Sequence, residues 1–341
     1  MPLVKPLNIV VVTPAFDKTL PTANRETLRQ IKRVSPAINV TDASALVAAE
    51  FRGDYSGKEQ LDTILAEADV IYGLIPPHDL MARAPRLKWI QVMSAGVDRL
   101  RDTEIWRSDL IITGVSGIHA TPIGEFVLEM MLMFAKGAPR CFRMKQQRAW
   151  QRYMPTVLRG KTMGIIGAGH IGREVARLSR AFGMKVIATR RSVKKPARAR
   201  YIDEMLPARQ LPVLLKESDF VVIATPFTPE TRHLIGEKEL KMMKPTAYII
   251  NIARGGIIDE EALVKALEGG LIAGAGLDVA ACEPLPPESR LWDLDNVILS
   301  PHVAGGMEKY MELATALFCE NLARYRAGKT LRNVIDRNKG Y

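Results

Sequence analysis

The sequence predicts an α/β protein of two domains, each built around a parallel sheet. Three observations carry that expectation. Short apolar runs bounded by turn residues alternate with amphipathic segments of helical spacing along the chain. The alternation occurs twice, before and after a long Met- and Leu-rich helical stretch at 124–136. One strand–helix junction of the second half carries the run Gly167-Ala168-Gly169-His170-Ile171-Gly172.

The first system opens on a strand at 7–12 (Leu-Asn-Ile-Val-Val-Val), followed by helical spacing at 24–32 and a strand at 38–40. Further strands are expected at 70–74, 89–92 and 110–113. In the second system strands are expected at 162–166, 185–189, 220–224, 247–251, 274–278 and 297–299, with helices between them, including 260–267. A last apolar-faced helix, 308–327, lets the chain return to the first domain. Crossings near Gly117 and at Gly305-Gly306 divide the chain into 1–116 plus 306–341, a substrate-binding domain, and 117–305, a dinucleotide-binding domain. Two Rossmann-like domains so connected would place the site in the cleft between them.

The glycine run is informative because of its context. An apolar strand precedes it, a helix at 171–182 follows, and a second strand comes next. Gly167 permits the tight turn, Gly169 lets the backbone approach a pyrophosphate, and Gly172 lets helix and strand pack closely. The helix N-terminus then presents free N–H groups and a positive dipole end to an anion. A site built for NAD carries an acid at the end of the second strand to accept from the ribose hydroxyls. This chain has Thr189-Arg190-Arg191-Ser192 there. A guanidinium suits a 2′-phosphate, which an acid would repel, so the expected cofactor is NADP, with NADPH preferred over NADH.

Composition narrows the class. Hydrophobic residues make up 47% and charged residues 25% of the chain, ordinary for a globular protein, and no apolar run has the length of a membrane span. Three scattered cysteines lack metal-ligand spacing, and the start of the chain lacks a signal-peptide pattern, so a reducing cytoplasmic setting is expected. The net charge of +11 comes with no base-reading helix and no aromatic platform. It fits a field that draws in an anionic cofactor and a carboxylate substrate; neither nucleic acid nor membrane is an expected partner.

Three polar residues fall near the expected carboxyl ends of strands: Arg254 in Asn-Ile-Ala-Arg-Gly-Gly, Glu283 after Leu-Asp-Val, and His302 in Ser-Pro-His-Val-Ala-Gly. Ligands of open α/β sheets bind at that edge. With the glycine loop and Thr225-Pro226-Phe227-Thr228-Pro229-Glu230-Thr231, these motifs make the chain resemble the D-isomer-specific 2-hydroxyacid dehydrogenases over essentially its whole length. The segments 93–98 and 117–123 resemble the glyoxylate/hydroxypyruvate reductase-like branch, which often uses NADP.

The resemblance implies roles. His302 would protonate the carbonyl oxygen as hydride reaches carbon. Glu283 would hold the imidazole and favour its protonated form. Arg254 would clamp the substrate carboxylate and polarise the carbonyl. Ser94, Ala95, Gly96 and Val97 would offer backbone N–H groups to the carboxylate, with Leu74 on the pocket wall. Asp278 and the backbone at Ile252 and Ala253 would hold the nicotinamide carboxamide; Thr225, Pro226 and Gly305 would line the cofactor wall, and His170 and Ile171 would bring backbone to the phosphates. Formate dehydrogenases of the superfamily place Gln beside the catalytic His, so Glu283 points to carbonyl reduction.

The reading is therefore NADPH-dependent reduction of a short 2-oxo acid such as glyoxylate or hydroxypyruvate to the D-2-hydroxy acid, with no metal. A homodimer through 117–153 is expected from the family and from the mix of apolar and basic residues there, Phe142, Met144 and Trp150 among them. The rival reading is a dinucleotide-sensing protein like the corepressors that share this fold. His119, before the long helix, is a further candidate for substrate or cofactor contact.

Overall fold

The computed structural model describes residues 6–15 and 22–341. The chain forms two compact units, 1–118 with 307–341, and 119–306. The crossings thus fall at 118/119 and 306/307, against the expected 116/117 and 305/306.

The first unit holds five parallel strands: β1 Leu7–Val12, β2 Ile38–Asp42, β3 Val70–Gly73, β4 Trp89–Val92 and β5 Ile111–Thr113, in the order β2-β1-β3-β4-β5. Ile9 to Val12 and all of β3 and β4 are buried, which is why these strands read as continuous apolar runs and not as alternating ones. Each large apolar side chain so buried contributes about 1.5–3 kcal/mol. The helix Arg25–Arg33 starts on an Asn24 cap that accepts from the Glu26 and Thr27 amides. The C-terminal helix Tyr310–Arg326 returns to this unit, where Phe318 stacks on Tyr72 with centroids 4.3 Å apart.

The second unit holds an eight-stranded sheet: β6 Thr162–Ile166, β7 Lys185–Arg190, β8 Ala197–Ala199, β9 Ile202–Pro207, β10 Phe220–Ile223, β11 Tyr248–Asn251, β12 Gly274–Leu277 and β13 Val297–Leu299. Its order is β13-β12-β11-β10-β6-β7-β9-β8, parallel except for β8 against β9. Strand order reverses on the two sides of β6, so a crevice opens at the carboxyl ends of β6 and β10. The helix Ala120–Lys136 crosses this sheet with Met130 and Phe134 buried, and Phe134 stacks on Tyr248 at 4.5 Å.

Most expected strands appear within a residue or two of the bounds read from sequence. The hairpin β8–β9 was not expected. Its β9 strand, Ile-Asp-Glu-Met-Leu-Pro, is polar at the middle and ends in proline, yet Ile202, Met205 and Leu206 are buried. The helix Ala138–Gln146 was not separated from its predecessor; Gly137, at φ +69°, breaks the two apart.

Candidate active site

The glycine loop sits at the crevice. Gly167 takes φ +103°, and a methyl there would lie 2.7 Å from the Ala224 carbonyl oxygen at the end of β10. Its amide and that of Ala168 donate to the Thr189 carbonyl at 3.1 and 3.2 Å, tying the loop to β7. The helix His170–Ala181 then begins on Gly169, which brings no side chain to the first-turn amides. Nothing lies within 4 Å of where a Gly169 methyl would stand. The loop therefore leaves open space over a positive helix end, as a pyrophosphate requires. Gly172 is buried against Gly167, while His170 is exposed and Ile171 half-buried.

Thr189 is buried and Arg190, the last residue of β7, is exposed with Arg191 after it. Residues 189–202 contain no acid. The first, Asp203, is engaged by the Val186 amide at 2.8 Å and by Arg180 at 3.1 Å. Arg209, beyond β9, donates to the Lys194 carbonyl at 3.1 Å and fastens the loop that follows β7. Nothing in the local sequence pattern marks Arg209, because its contact with Lys194 spans 15 residues.

Arg254, Glu283 and His302 follow β11, β12 and β13, three neighbouring strands. Asn251 braces the first loop, accepting from the Ala253 amide at 3.0 Å and donating to the Arg254 carbonyl at 2.9 Å. Gly255 has to be glycine: a methyl there would lie 2.0 Å from the Ala280 carbonyl. That close approach packs the Arg254 loop on the Glu283 loop. The Arg254 guanidinium donates to the Ala253 carbonyl at 2.8 Å. His302 Nδ1 lies 2.8 Å from Glu283 Oε2, which fixes the ring orientation and leaves Nε2 as the outward nitrogen. The other Glu283 oxygen accepts from the Ala280 amide. Both members of the pair remain partly exposed, as exchange of a proton with solvent needs.

Asp278 is 2% exposed. Its carboxylate accepts from Ser300 Oγ and the Val303 amide at 2.8 Å and from the Ala304 amide at 3.0 Å, and its carbonyl accepts from the His302 amide at 2.8 Å. Burial raises its pKa, and these hydrogen bonds with the nearby His302 oppose the rise. Ile252 is buried and Ala253, Thr225, Pro226 and Gly305 are half-buried around the same edge. His119 is 9% exposed, and burial alone lowers its pKa to about 4; a methyl on Gly305 would lie 3.0 Å from its Cδ2. Its ring lies beside Gly305 in the second unit.

In the first unit, Leu74 and the loop of Ser94, Ala95, Gly96 and Val97 lie at the carboxyl ends of β3 and β4. Ser94 Oγ donates to the Gly96 carbonyl at 2.8 Å. The Val97 side chain is buried in the core, so only its backbone faces outward chemistry. The Tyr310 hydroxyl donates to the Met93 carbonyl and holds the loop from behind.

A glycine loop at the switch point of a doubly wound sheet, with Arg, Glu and His at adjacent strand ends, defines a nicotinamide-dinucleotide-dependent oxidoreductase. The family model for the NAD-binding domain of D-isomer specific 2-hydroxyacid dehydrogenases matches residues 128–304. A glyoxylate reductase of Aeropyrum pernix is 38% identical over 285 residues, 80% of this chain and 84% of the relative. A D-isomer specific 2-hydroxyacid dehydrogenase of Xanthobacter autotrophicus, solved with NADPH and MES, matches with a TM-score of 0.81 at 28% identity, over 99% of this chain and 100% of the other. An NADPH-dependent glyoxylate/hydroxypyruvate reductase of Sinorhizobium meliloti, solved with NADP and sulfate, matches with a TM-score of 0.81 at 27% identity, over 98% and 100%. The chain belongs to the D-isomer specific 2-hydroxyacid dehydrogenase family and is glyoxylate/hydroxypyruvate reductase-like. No helix among the described residues is long and apolar enough to cross a membrane.

Proposed function

We propose that the protein reduces a short 2-oxo acid, glyoxylate or hydroxypyruvate in type, to the D-2-hydroxy acid with NADPH. The observation that carries this reading is the His302–Glu283 pair, 2.8 Å apart, one strand from Arg254. The bound dinucleotide would supply the hydride that C2 receives. Arg254 pairs with the substrate carboxylate and polarises the carbonyl, and the backbone of residues 94–97 meets the same carboxylate. As charge develops on the carbonyl oxygen, His302 gives it the proton from Nε2, while Glu283 holds Nδ1–H and balances the imidazolium. Solvent then reprotonates the ring. Asp278, Ile252 and Ala253 would hold the carboxamide of the cofactor, Thr225, Pro226 and Gly305 would line its wall, and Arg190 with Arg191 would take the 2′-phosphate.

The relatives' names and cofactors support this reading, as does the absence of acid after β7. Initial rates with glyoxylate, hydroxypyruvate, pyruvate and phenylpyruvate, each with NADPH and with NADH, test it. Turnover of a short 2-oxo acid with NADPH favoured is expected. NADPH binding without turnover of any of them would return the corepressor-like reading.

The working form we propose is a homodimer through 117–153, in the cytoplasm. The helix Ala138–Gln146 buries none of its residues, and Trp150 is 98% and Met154 92% exposed. Apolar side chains so bare in one segment fit a surface covered by a second copy.

A further inference from the structure

Asp278 is the most deeply buried acid of the candidate site, and its surroundings are unusual. An ionised carboxylate has about four lone-pair directions. Three are taken by Ser300 Oγ, the Val303 amide and the Ala304 amide, two of them on Oδ1 and one on Oδ2. All three donors are neutral. A buried carboxylate without a bonded cation is an expensive way to stabilise a fold, because a neutral side chain would avoid the desolvation cost.

All three donors sit in the segment 300–304, on both sides of His302. His302 itself occupies the left-handed region at φ +55°, which side chains other than glycine rarely adopt. Its amide donates to the Asp278 carbonyl at 2.8 Å. One residue at the end of β12 thus grips the turn after β13 at four points and imposes the backbone on which the imidazole stands.

We propose that Asp278 is a positioning residue for proton transfer: it locks the 300–304 turn so that His302 Nδ1 meets Glu283 and Nε2 points outward. The inference rests on His302 being the acid of the proposed reaction. The remaining lone pair on Oδ2 is still available to a cofactor carboxamide, so the two roles are compatible and separable. An Asn in place of Asp278 must set an N–H group against one of the three donors. Removing the Ser300 hydroxyl takes away one grip and leaves the carboxylate in place.

The test uses the full-length protein as Asp278→Asn and, as the milder variant, Ser300→Ala. With five histidines in the chain, the His302 ring signal in proton–carbon NMR is assigned by its loss in His302→Asn. Expected in Asp278→Asn are a displaced His302 ring signal without cofactor, a kcat lower by about tenfold or more, and an NADPH Kd within about threefold of wild type. Ser300→Ala should move ring signal and kcat in the same direction by less. An unmoved ring signal in both variants with the loss confined to NADPH Kd overturns the proposal in favour of a cofactor contact alone. A lowered melting temperature with unmoved ring signal and unchanged kcat overturns it in favour of a brace of the fold. If Asp278→Asn does not fold, Ser300→Ala alone decides by the same readouts. The ring signal needs no turnover, so a wild type inactive on every 2-oxo acid refutes the proposed reaction while leaving the positioning question answered.

Discussion

Gly169→Ala separates a ligand-binding glycine from a structural one. Gly169 takes ordinary extended angles, φ −82° and ψ −155°, and a methyl there meets nothing within 4 Å. The substitution therefore costs the fold little. Loss of backbone entropy in the unfolded chain favours Ala by about 0.4–1 kcal/mol, and the poorer N-cap opposes it by a similar amount. The open space is where a pyrophosphate would approach the helix end. Displacing it from one charge-assisted amide contact costs about 1.5–3 kcal/mol, or roughly ten- to a hundredfold in Kd. The assay is NADPH fluorescence titration beside a melting curve. The expected result is a near-wild-type melting temperature with NADPH binding weakened by that factor. Gly172→Ala is the contrasting control, because its methyl would lie 2.2 Å from the Gly167 carbonyl and must disturb the fold itself. Wild-type NADPH affinity in a folded Gly169→Ala protein would refute the placement of the pyrophosphate.

Other outcomes follow from the same geometry. His302→Ala should lose about a hundredfold or more in kcat with NADPH Kd near wild type, read from steady-state rates and titration; retained turnover would sink the acid assignment. Arg190→Asp should shift the ratio of kcat/KM for NADPH over NADH towards NADH by roughly one to two decades; an unchanged ratio would move the 2′-phosphate to other residues. Trp150→Asp should shift the species seen by light scattering from dimer to monomer, and an unaltered dimer would exclude this face. His119 sets a pH dependence of stability. Its folded pKa, about 4, lies below the ordinary 6.5, so the folded state prefers it neutral. The stabilising contribution is fully present above pH 6.5 and is lost as pH falls towards 4, with a ceiling on the order of 3 kcal/mol. Denaturant midpoints at pH 7.5 and 4.5 should therefore differ more in the wild type than in His119→Gln; equal differences would mean that His119 titrates normally in the fold.

The parts of the protein legible in sequence are those fixed by local chemistry. Buried parallel strands must be apolar on both faces, so β1, β4, β6 and β13 appear at their full extent. The glycine loop is legible because its glycines answer to local causes that the sequence context displays. The hairpin β8–β9 was hidden because its edge strand β8 is only Ala-Arg-Ala, largely exposed, and β9 carries Asp203 and Glu204 between its buried residues. Arg209, and the grip it has on the Lys194 carbonyl, was hidden with it.

The same distinction separates the chemical groups from their supports. Arg254, Glu283 and His302 stand out because a charged or titratable side chain after an apolar strand needs a reason. Asn251, Ser300 and Tyr310 do not, because each acts through a hydrogen bond, to the Arg254 carbonyl, the Asp278 carboxylate and the Met93 carbonyl, and nothing in the local pattern marks such a partner. Yet these groups convert three strand ends into a site. A left-handed His302 without the Asp278 grip could relax to a commoner backbone angle and carry its ring away from Glu283. An Arg254 loop without Asn251 would lose the brace that seats it against Ala280. The reactive set is thus written locally in the sequence, while its precision is written in long-range polar contacts that only the folded chain brings together.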